Sequence, residues 1–285
     1  LFGLEYKQYE NQHAEIYTTE SSDRAFEEEV MLSGFANAQV KGEGSGVSFD
    51  EAQETFSARY THETVALAFA ITEEAIEDNL YDRIASRYTK ALARSMSNTK
   101  QVKAVEPLIN GLPTTDGFDS GDGVALFSTA HPTIAGTYKN TLSAQADLNE
   151  TSLEQSLIDI AAMTDERGLR IAARGVKMII PSKLQFTAER LMKSQGRTAT
   201  ADNDINAIAS MGMIPQGYRV NNYLTDDDAF YIITDVPNGM KMFNRAPLTT
   251  AMEGDFDTGN VRYKARERYS FGVSDPRGIF GVEGA

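Results

Sequence analysis

The histidines and the nearby serine are the first residues to test for chemistry in this sequence. Only three histidines occur, His13, His62 and His131, and no two of them have the spacing of a metal-binding pair. Ser128 lies close to His131, but the Gly-x-Ser-x-Gly turn that exposes a nucleophilic serine is missing. A role in anchoring a loop is the better interpretation of these two residues.

Three aspartates, Asp116, Asp119 and Asp122, recur at every third position, unlike the alternating carboxylates of a calcium loop. Together with His131, the pair Asp119 and Asp122 defines one alternative hypothesis, an acidic metal-dependent hydrolase. The glycine cluster 42–46 lacks the Gly-Lys-Ser/Thr of a phosphate loop, and no Gly-x-Gly-x-x-Gly fingerprint occurs. We therefore predict no catalytic residue, no metal site and no cofactor, which favours a structural role.

Composition narrows the class of protein further. The chain has 285 residues, a formal net charge of −14 and no cysteine, which excludes disulfides and thiolate metal sites. Such an acidic protein is not expected to hold nucleic acid tightly over its whole surface, although it could enclose it. No window approaches twenty apolar residues, so we expect no membrane span. The sequence begins at Leu1 rather than at a methionine, as a processed product would.

The element that organises the rest is a predicted long helix from Thr72 to about Ile109. Thr72 is its expected N-cap, acidic residues crowd its start, basic residues follow, and Pro107 and Gly111 are expected to end it. At ~1.5 Å per residue such a rod is roughly 50 Å long. Its apolar side chains recur every four residues and drift around the rod by about 40° per step, so several partners must cover them. They are Ile76, Leu80, Ile84, Tyr88, Leu92 and Met96.

The segment before the helix is predicted to have surfaces that another molecule covers. Residues 1–33 are polar and irregular, and we expect an extended arm that packs on something else. Residues 34–71 are predicted to form a long β-hairpin with a flexible tip at residues 42–46. The apolar positions on the return strand change from even to odd numbers near Thr61–Thr64, which predicts a bend and a new packing environment. Because an isolated hairpin is marginally stable, a neighbouring subunit is expected to cover it.

Residues 112–244 are predicted to form a second, inserted domain of α/β type. Thr151-Ser152-Leu153-Glu154 and the residues Ser182 to Gln185 have the pattern of capping boxes that begin helices. Val176–Ile180 is typical of a buried strand, and further strands are expected near Tyr218–Tyr223 and Ala229–Thr234.

The last segment is predicted to be a long half-buried strand with a basic face. Apolar residues from Val261 to Val273 alternate with a basic row, which consists of Arg262, Lys264, Arg266 and Arg268. A solvated face is the simplest interpretation of that row. A contact between subunits is the alternative, with an acidic patch such as Glu73–Asp82 or Glu27–Glu29 as its partner. Four bases could also touch DNA, but they are too few for tight binding.

The order of these elements resembles the major capsid protein of tailed double-stranded DNA phages, the Hong Kong 97-like fold. Two stretches, FSARYTHETVALAFAITEEAIEDN at 56–79 and LFSTAHPTIAGTYKN at 126–140, are similar to the Mu-like head-subunit branch. The resemblance implies an α+β fold with an N-terminal arm at 1–26 and an extended loop at 27–68. It further implies a peripheral domain with a spine helix at 69–115 and 245–285, and an inserted axial domain at 116–244.

The resemblance also implies a function: a structural subunit that assembles with copies of itself as hexamers and pentamers into an icosahedral virion shell around phage DNA. Portal, scaffold or decoration proteins would be further partners, and assembly would take place in the bacterial cytoplasm. An encapsulin-like nanocompartment shell is the nearest alternative. Some members cross-link a loop lysine to an asparagine. Here Lys41 and Asn260 are conceivable counterparts, but no motif matches and we expect no covalent link.

Several residues are predicted to lie at contacts between subunits. They share exposure on the extended loop, on the acidic start of the long helix or on the basic row, and they are Lys41, Glu43, Phe56, Tyr60, Glu73, Glu74, Glu77, Asp78, Arg262, Lys264, Arg266 and Arg268.

Overall fold

A computed structural model of the chain describes residues 2–77, 82–115, 117–196, 205–255 and 259–285. The chain divides into two units. The first contains Leu1–Glu27, Tyr60–Val105 and Met242–Phe271, and the second contains Glu28–Arg59, Glu106–Lys241 and Gly272–Ala285.

The described residues contain helices and strands in the following chain order. The first part contains α1 (Phe2–Tyr6), β1 (Thr18–Ser21), β2 (Phe26–Leu32), β3 (Glu54–Thr61), β4 (Glu63–Ile71), α2 (Glu73–Glu77) and α3 (Asp82–Asn110). The middle contains β5 (His131–Thr133), β6 (Gly136–Tyr138), α4 (Glu150–Ala161), β7 (Gly175–Ile180), α5 (Gln185–Lys193), α6 (Ala207–Met211), β8 (Tyr218–Val220) and β9 (Phe230–Thr234). The end contains β10 (Met240–Gly254), β11 (Val261–Val273) and β12 (Ile279–Val282). Short 3-10 turns occupy Gln12–Glu15, Ser182–Leu184 and Pro276–Gly278.

The strands of the described residues form two four-stranded sheets and two two-stranded ones. One large sheet has the order β1-β10-β11-β4, and the other has the order β12-β9-β7-β8. The strand β2 pairs with β3, and β5 pairs with β6. The mixture of helices and sheets agrees with the predicted α+β class.

The core of the first unit lies between α3 and one face of the sheet that contains β11. Leu92, Ala93 and Met96 of α3 pack with Phe2 and Ala265, and half-buried aromatic residues complete the cluster. Further along α3, the buried positions continue at Gln101, Ala104 and Val105, the spacing of a helix with one covered side. Of the predicted apolar stripe, Tyr88 is exposed, and the side chains of Ile76, Leu80 and Ile84 lie outside the described residues.

The N-terminal segment is not an extended arm that packs elsewhere. Phe2, Ile16 and Tyr17 are buried within their own unit, and the Tyr17 hydroxyl donates to the Ala104 carbonyl of α3 at 2.6 Å. The sequence prediction was wrong because Phe2, Ile16 and Tyr17, although widely spaced, are all buried within their own unit.

The predicted hairpin pairs with a different strand from the one expected. Its return strand is β3, but β3 pairs with β2 at 26–32, and residues 33–53 between the two strands contain no strand. The change of apolar phase was interpreted correctly: β3 ends at Thr61, β4 begins at Glu63, and each joins a different sheet. The bend falls at His62, whose buried ring lies between the Ser22 and Ser270 hydroxyls at 3.0 and 2.9 Å.

The predicted long helix is described in two pieces, α2 and α3, because residues 78–81 lie outside the described residues. Pro107 does not end it. Proline lacks an N–H and crowds the carbonyl four residues earlier. The helix nevertheless continues beyond Pro107, and the Gly111 N–H donates to the Pro107 carbonyl at 3.1 Å. The helix ends at Asn110, directly before Gly111.

The core of the second unit lies between the sheet β12-β9-β7-β8 and helices α4, α5 and α6. Leu153, Leu157 and Ile160 of α4 meet fully buried residues of β7, β9 and β12. The helix α4 begins two residues earlier than predicted, since Asn149 is the N-cap and shares a capping box with Ser152. The capping box predicted at Ser182 is wrong as well, because Ser182 opens a 3-10 turn without a side-chain cap.

Two segments belong to the second unit although the predicted domains placed them elsewhere. Residues 272–285 join it because β12 pairs with β9 in antiparallel register. Residues 28–59 join it because Glu29 binds Lys241 and the Arg167 guanidinium donates to the Glu51 carbonyl at 2.7 Å. Within the described residues, no helix has the length and apolar character needed to cross a bilayer.

The buried His13 gives the first unit a pH-dependent stability. Its backbone N–H donates to the Gln101 side chain at 2.9 Å, and its ring lies edge-on to Phe271. Burial, followed by the charge of Lys100, lowers the pKa of His13 to about 4. A histidine whose pKa is depressed in the folded state contributes stability above its unfolded pKa of about 6.5, and this contribution is lost as the pH falls toward 4.

We expect wild type to lose about 3 kcal/mol of stability from this residue between pH 6.5 and 4, and His13→Gln to lack that loss. Denaturant unfolding of the unassembled subunit at several pH values measures the difference between the two proteins. The exposed substitution Lys7→Gln is the control and should leave the pH dependence unchanged. Parallel stability curves for wild type and His13→Gln would contradict the assignment.

Candidate assembly surfaces

Among the described residues, the longest exposed run lies in the connection between β2 and β3, which we call the extended loop (residues 33–53). Every residue from 35 to 53 is exposed. Val40 is 100% exposed and Phe49 is 97% exposed, and Phe35 and Val47 are uncovered as well. Large apolar side chains so close together on one segment are typical of a surface that another molecule covers.

The root of the extended loop is fixed while its tip is not. The Lys241 ammonium lies 2.5 Å from Glu29, and the Ser274 hydroxyl also donates to Glu29. Across the two strands, Ser33 and Gln53 exchange hydrogen bonds of 2.8 and 2.9 Å. Near the tip, the described hydrogen bonds are local, such as that between Ser45 and the Gly42 carbonyl. The loop therefore projects from a rigid base.

The four contact residues predicted on or beside the loop fall into two groups. Lys41 and Glu43 are exposed near the tip, as predicted. Phe56 is half-buried against Gly121 of its own chain, where a Cβ atom would lie 2.9 Å from the ring. Tyr60 is 2% exposed and packs edge-on to Phe243. As a contact between subunits, Tyr60 was a wrong prediction, because its own chain already covers it.

The basic row lies on one face of β11, as the alternation predicted. The antiparallel register places Arg262, Lys264, Arg266 and Arg268 opposite Ala70, Ala68, Ala66 and Thr64 of β4. The facing residues are small, so they leave the long basic side chains uncovered. Arg262 forms an ion pair with Asp255. Lys264 and Arg266 are exposed, and no carboxylate of the described residues lies within ion-pair distance of either.

The opposite face of β11 contains a buried carboxylate that the sequence analysis missed. Glu267 is 2% exposed, and its carboxylate lies 3.1 Å from the Lys100 ammonium and 3.5 Å from the Tyr6 hydroxyl. Burial raises the pKa of Glu267, although Lys100 and Tyr6 oppose the shift. Apolar residues occupy the odd-numbered positions of β11, and Glu267 occupies one of these positions. This was the signal in the sequence that could have revealed a buried carboxylate.

The two predicted acidic patches differ in whether their carboxylates bind groups of their own chain. Glu27 accepts from the Ser22 hydroxyl at 2.7 Å, Glu28 lies 3.8 Å from Arg59, and Glu29 binds Lys241. By contrast, Glu73, Glu74 and Glu77 of α2 are exposed and have no ion pair among the described residues. Asp78 lies outside the described residues. The run Glu27–Glu29 is therefore engaged within the chain. The carboxylates of α2 form no ion pair among the described residues, and the Glu73 side chain lies against Gly259.

The residues of the hydrolase hypothesis do not form one site. The His131 ring is fully buried, with Nδ1 2.7 Å from an Asp122 carboxylate oxygen and Nε2 2.9 Å from the Asn140 amide oxygen. Both ring nitrogens are thus engaged and neither is open to a substrate. Hydrogen bonds from His131 and Ser120 lower the pKa of Asp122 although burial opposes this. Asp119 is exposed, Asp116 lies outside the described residues, and within the described part no three acidic or histidine side chains cluster as metal ligands.

A buried ion network holds the C-terminal turn of the second unit. The Arg277 guanidinium lies 2.6 Å from Glu166 and 3.2 Å from Asp275, and it donates to the Thr164 carbonyl at 2.8 Å. Its carbon lies 4.2 Å from the centre of the Tyr138 ring, which in turn stacks on His131. Burial raises the pKa of Asp275 even though Arg277 opposes the shift. These polar groups are engaged within the chain, where they hold loops together. The candidate functional surfaces are therefore the extended loop and the exposed charged faces of α2 and β11.

Sequence and structure comparisons relate the chain to known proteins. A sequence model of the phage capsid protein family matches residues 54–282. No curated protein matches the chain. Among solved structures, the capsid of cyanophage P-SCSP1u is 12% identical, with a TM-score of 0.62 over 94% of this chain and 86% of that one. A chain of Microbacterium phage Oxtober96 is 12% identical, with a TM-score of 0.59 over 96% and 91%. A virus-like particle from Pyrococcus furiosus is 11% identical, with a TM-score of 0.53 over 99% and 96%.

The α+β architecture is therefore that of Hong Kong 97-like phage capsid proteins, as predicted. The chain belongs to the phage capsid protein family, because the family match covers most of its length. It is a major capsid protein, a structural component of the virion shell.

The Arg277 network predicts a large loss of stability when the cation is removed. Arg277→Met should cost about 3–5 kcal/mol, because it leaves the Glu166 and Asp275 carboxylates buried and unpaired. Guanidinium unfolding of the unassembled subunit measures the effect. As a control, Arg170→Met at an exposed position should change stability by less than about 0.5 kcal/mol. Equal stability of the two variants would show that the network contributes little.

Proposed function

We propose that this protein assembles with copies of itself as hexamers and pentamers into the icosahedral head of a tailed phage, around double-stranded DNA and within the bacterial cytoplasm. The observation that carries the proposal is the extended loop. The loop has a fixed root and a run of exposed residues. Its apolar side chains are not covered by the described residues of its own chain, and they include Phe35, Val40, Val47 and Phe49. The partner that is always present at high concentration during assembly is another copy.

The parts of the chain take different roles in this proposal. The extended loop (residues 33–53) lies over a neighbouring subunit, and the segments 69–105 and 245–271, with α3 as a spine, form the peripheral domain. The segment 116–244 forms the axial domain that meets its copies at the centres of hexamers and pentamers. Support comes from the separate cores of the two units, each built around its own four-stranded sheet.

Charge supports a container rather than a nucleic-acid-binding protein. The formal net charge of −14 opposes close adhesion of DNA to the wall, so contact with packaged DNA is weak and non-specific. Portal, scaffold or decoration proteins would be the other partners in such a head. We propose no covalent link between subunits.

Electron microscopy of the purified protein tests the proposal directly. We expect closed icosahedral particles, and particles from infected cells should contain nuclease-protected double-stranded DNA. A nanocompartment, the shell type that stores protein cargo, would contain protein instead. A protein that stays monomeric at all concentrations and salt conditions would refute both kinds of shell.

Deletion of residues 39–48 tests the role of the extended loop. The variant should fold with an unchanged thermal transition, because the hydrogen bonds between Ser33 and Gln53 lie outside the deletion. It should fail to build stable shells, because the loop can no longer cover a neighbour. Sedimentation velocity separates subunits, capsomers and shells.

A pair of point variants sharpens the same test. Val40→Ser with Phe49→Ser should reproduce the assembly defect, since both side chains are almost fully exposed. Asn37→Ser with Gln39→Ser, at exposed polar positions of the same loop, is the matched control and should assemble like wild type. Normal shells from the apolar pair would show that the loop is not a contact surface.

A further inference from the structure

We propose that the acidic helix α2 of one subunit docks on the basic row of a second copy, with Glu73 and Glu77 facing Lys264 and Arg266. The inference rests on the proposed self-assembly and identifies one of its contacts. It follows from the charges that each surface leaves unpaired within its own chain.

The basic side of the contact is open and unneutralised. Lys264 and Arg266 are exposed on the same face of β11, opposite Ala68 and Ala66 of β4, whose methyl groups cannot screen them. The ends of the row are already occupied. Arg262 binds Asp255, and beyond Arg268 the face is closed by His62 between the Ser22 and Ser270 hydroxyls. The two central bases are therefore the part of the row that is available to a partner.

The acidic side is selected by elimination within the described residues. Of the two acidic runs, Glu27–Glu29 is held by Ser22, Arg59 and Lys241 of the same chain. The carboxylates of α2 are exposed and without an ion pair among the described residues. In its own chain, α2 follows β4, whose last residue pairs with Val261, yet no ion pair forms between α2 and the row.

The two sets of charges have matching spacing. Glu73 and Glu77 are four residues apart on a helix, so they share one side and lie about 6 Å apart along its axis. Lys264 and Arg266 are two residues apart on a strand, about 6.7 Å along it. A helix laid along the strand therefore places one carboxylate at each base without distortion. Glu74 lies next to this pair and adds to the local negative potential.

A second copy fits these bases better than a phosphate backbone does. Two open bases neutralise too few phosphates to hold a duplex against the repulsion of a chain with a net charge of −14. The acidic helix and the basic row are different patches of the same chain. Each copy can therefore dock its α2 on one neighbour while its basic row binds the α2 of another. Contacts of this heterologous kind close into rings when the rotation permits.

Cysteine pairing between different copies tests whether the two surfaces lie close together in the assembly. Because the chain contains no cysteine, Glu77→Cys and Arg266→Cys subunits can be mixed, and any disulfide between them must join two copies. Oxidation of mixed assemblies should give a covalent dimer on a non-reducing gel. A mixture of Glu77→Cys with Arg170→Cys, an exposed residue of the second unit, is the control. A dimer yield no higher than in the control would overturn the proposal.

Charge reversal gives an independent readout. Lys264→Glu with Arg266→Glu should raise the subunit concentration needed for assembly by about tenfold or more, equivalent to about 1.4 kcal/mol. Glu73→Lys with Glu77→Lys should do the same, and combining all four substitutions should restore assembly. Lys264→Arg with Arg266→Lys preserves the charges and should assemble like wild type. Circular dichroism confirms that each variant folds.

The outcomes separate this contact from the proposed function. Wild type that builds no shell would refute self-assembly itself. Wild type and both reversal variants that build shells equally well would refute only the contact between α2 and the row. Normal shells that contain less DNA in the basic-row reversal alone would also overturn it, because that result would show that the row faces nucleic acid.

Discussion

The antiparallel register between β11 and β4 is the constraint on which most of the first unit depends. It places Tyr263, Ala265 and Glu267 on one face, where α3 and the N-terminal segment cover them, and the basic row on the other. A shift of one residue would exchange the two faces, burying Lys264 and Arg266 and exposing the core. One hydrogen-bonded ladder therefore determines both what holds the subunit together and what it can offer to another molecule.

Strict alternation made these two faces predictable from the sequence. The period-2 pattern gave the limits and the two faces of β11. The change of phase along residues 56–71 predicted a bend near Thr61–Thr64, and His62 separates β3 from β4 there. The partner of β3 was not predictable in the same way. Its strand β2 consists largely of glutamates and exposed apolar residues, and its pattern does not show which strand it will pair with. Pairing over more than twenty intervening residues depends on tertiary contacts such as the ion pair between Glu29 and Lys241.

Local signals failed where a competing contact was stronger. Asn149 caps α4 in place of the predicted residues because its side chain and that of Ser152 satisfy each other's backbone. Pro107 was given too much weight, since the helix tolerates this proline in its last turns and ends only at Asn110. Glu267 was overlooked because a carboxylate is not expected on an apolar face, and only the three-dimensional arrangement brings Lys100 and Tyr6 to it. The family resemblance gave the architecture correctly but contained no information on which charges pair within the chain.

The uncovered loop has a consequence for the life of the protein before assembly. Flexible, exposed segments with glycines are where proteases cut first, and residues 42–46 have that character. If a neighbour covers the loop in the finished shell, cleavage there distinguishes unassembled copies from incorporated ones. Surplus or misfolded subunits would then be degraded by the host while completed particles persist, and the same residues that recruit a neighbour would limit how long a subunit survives without one.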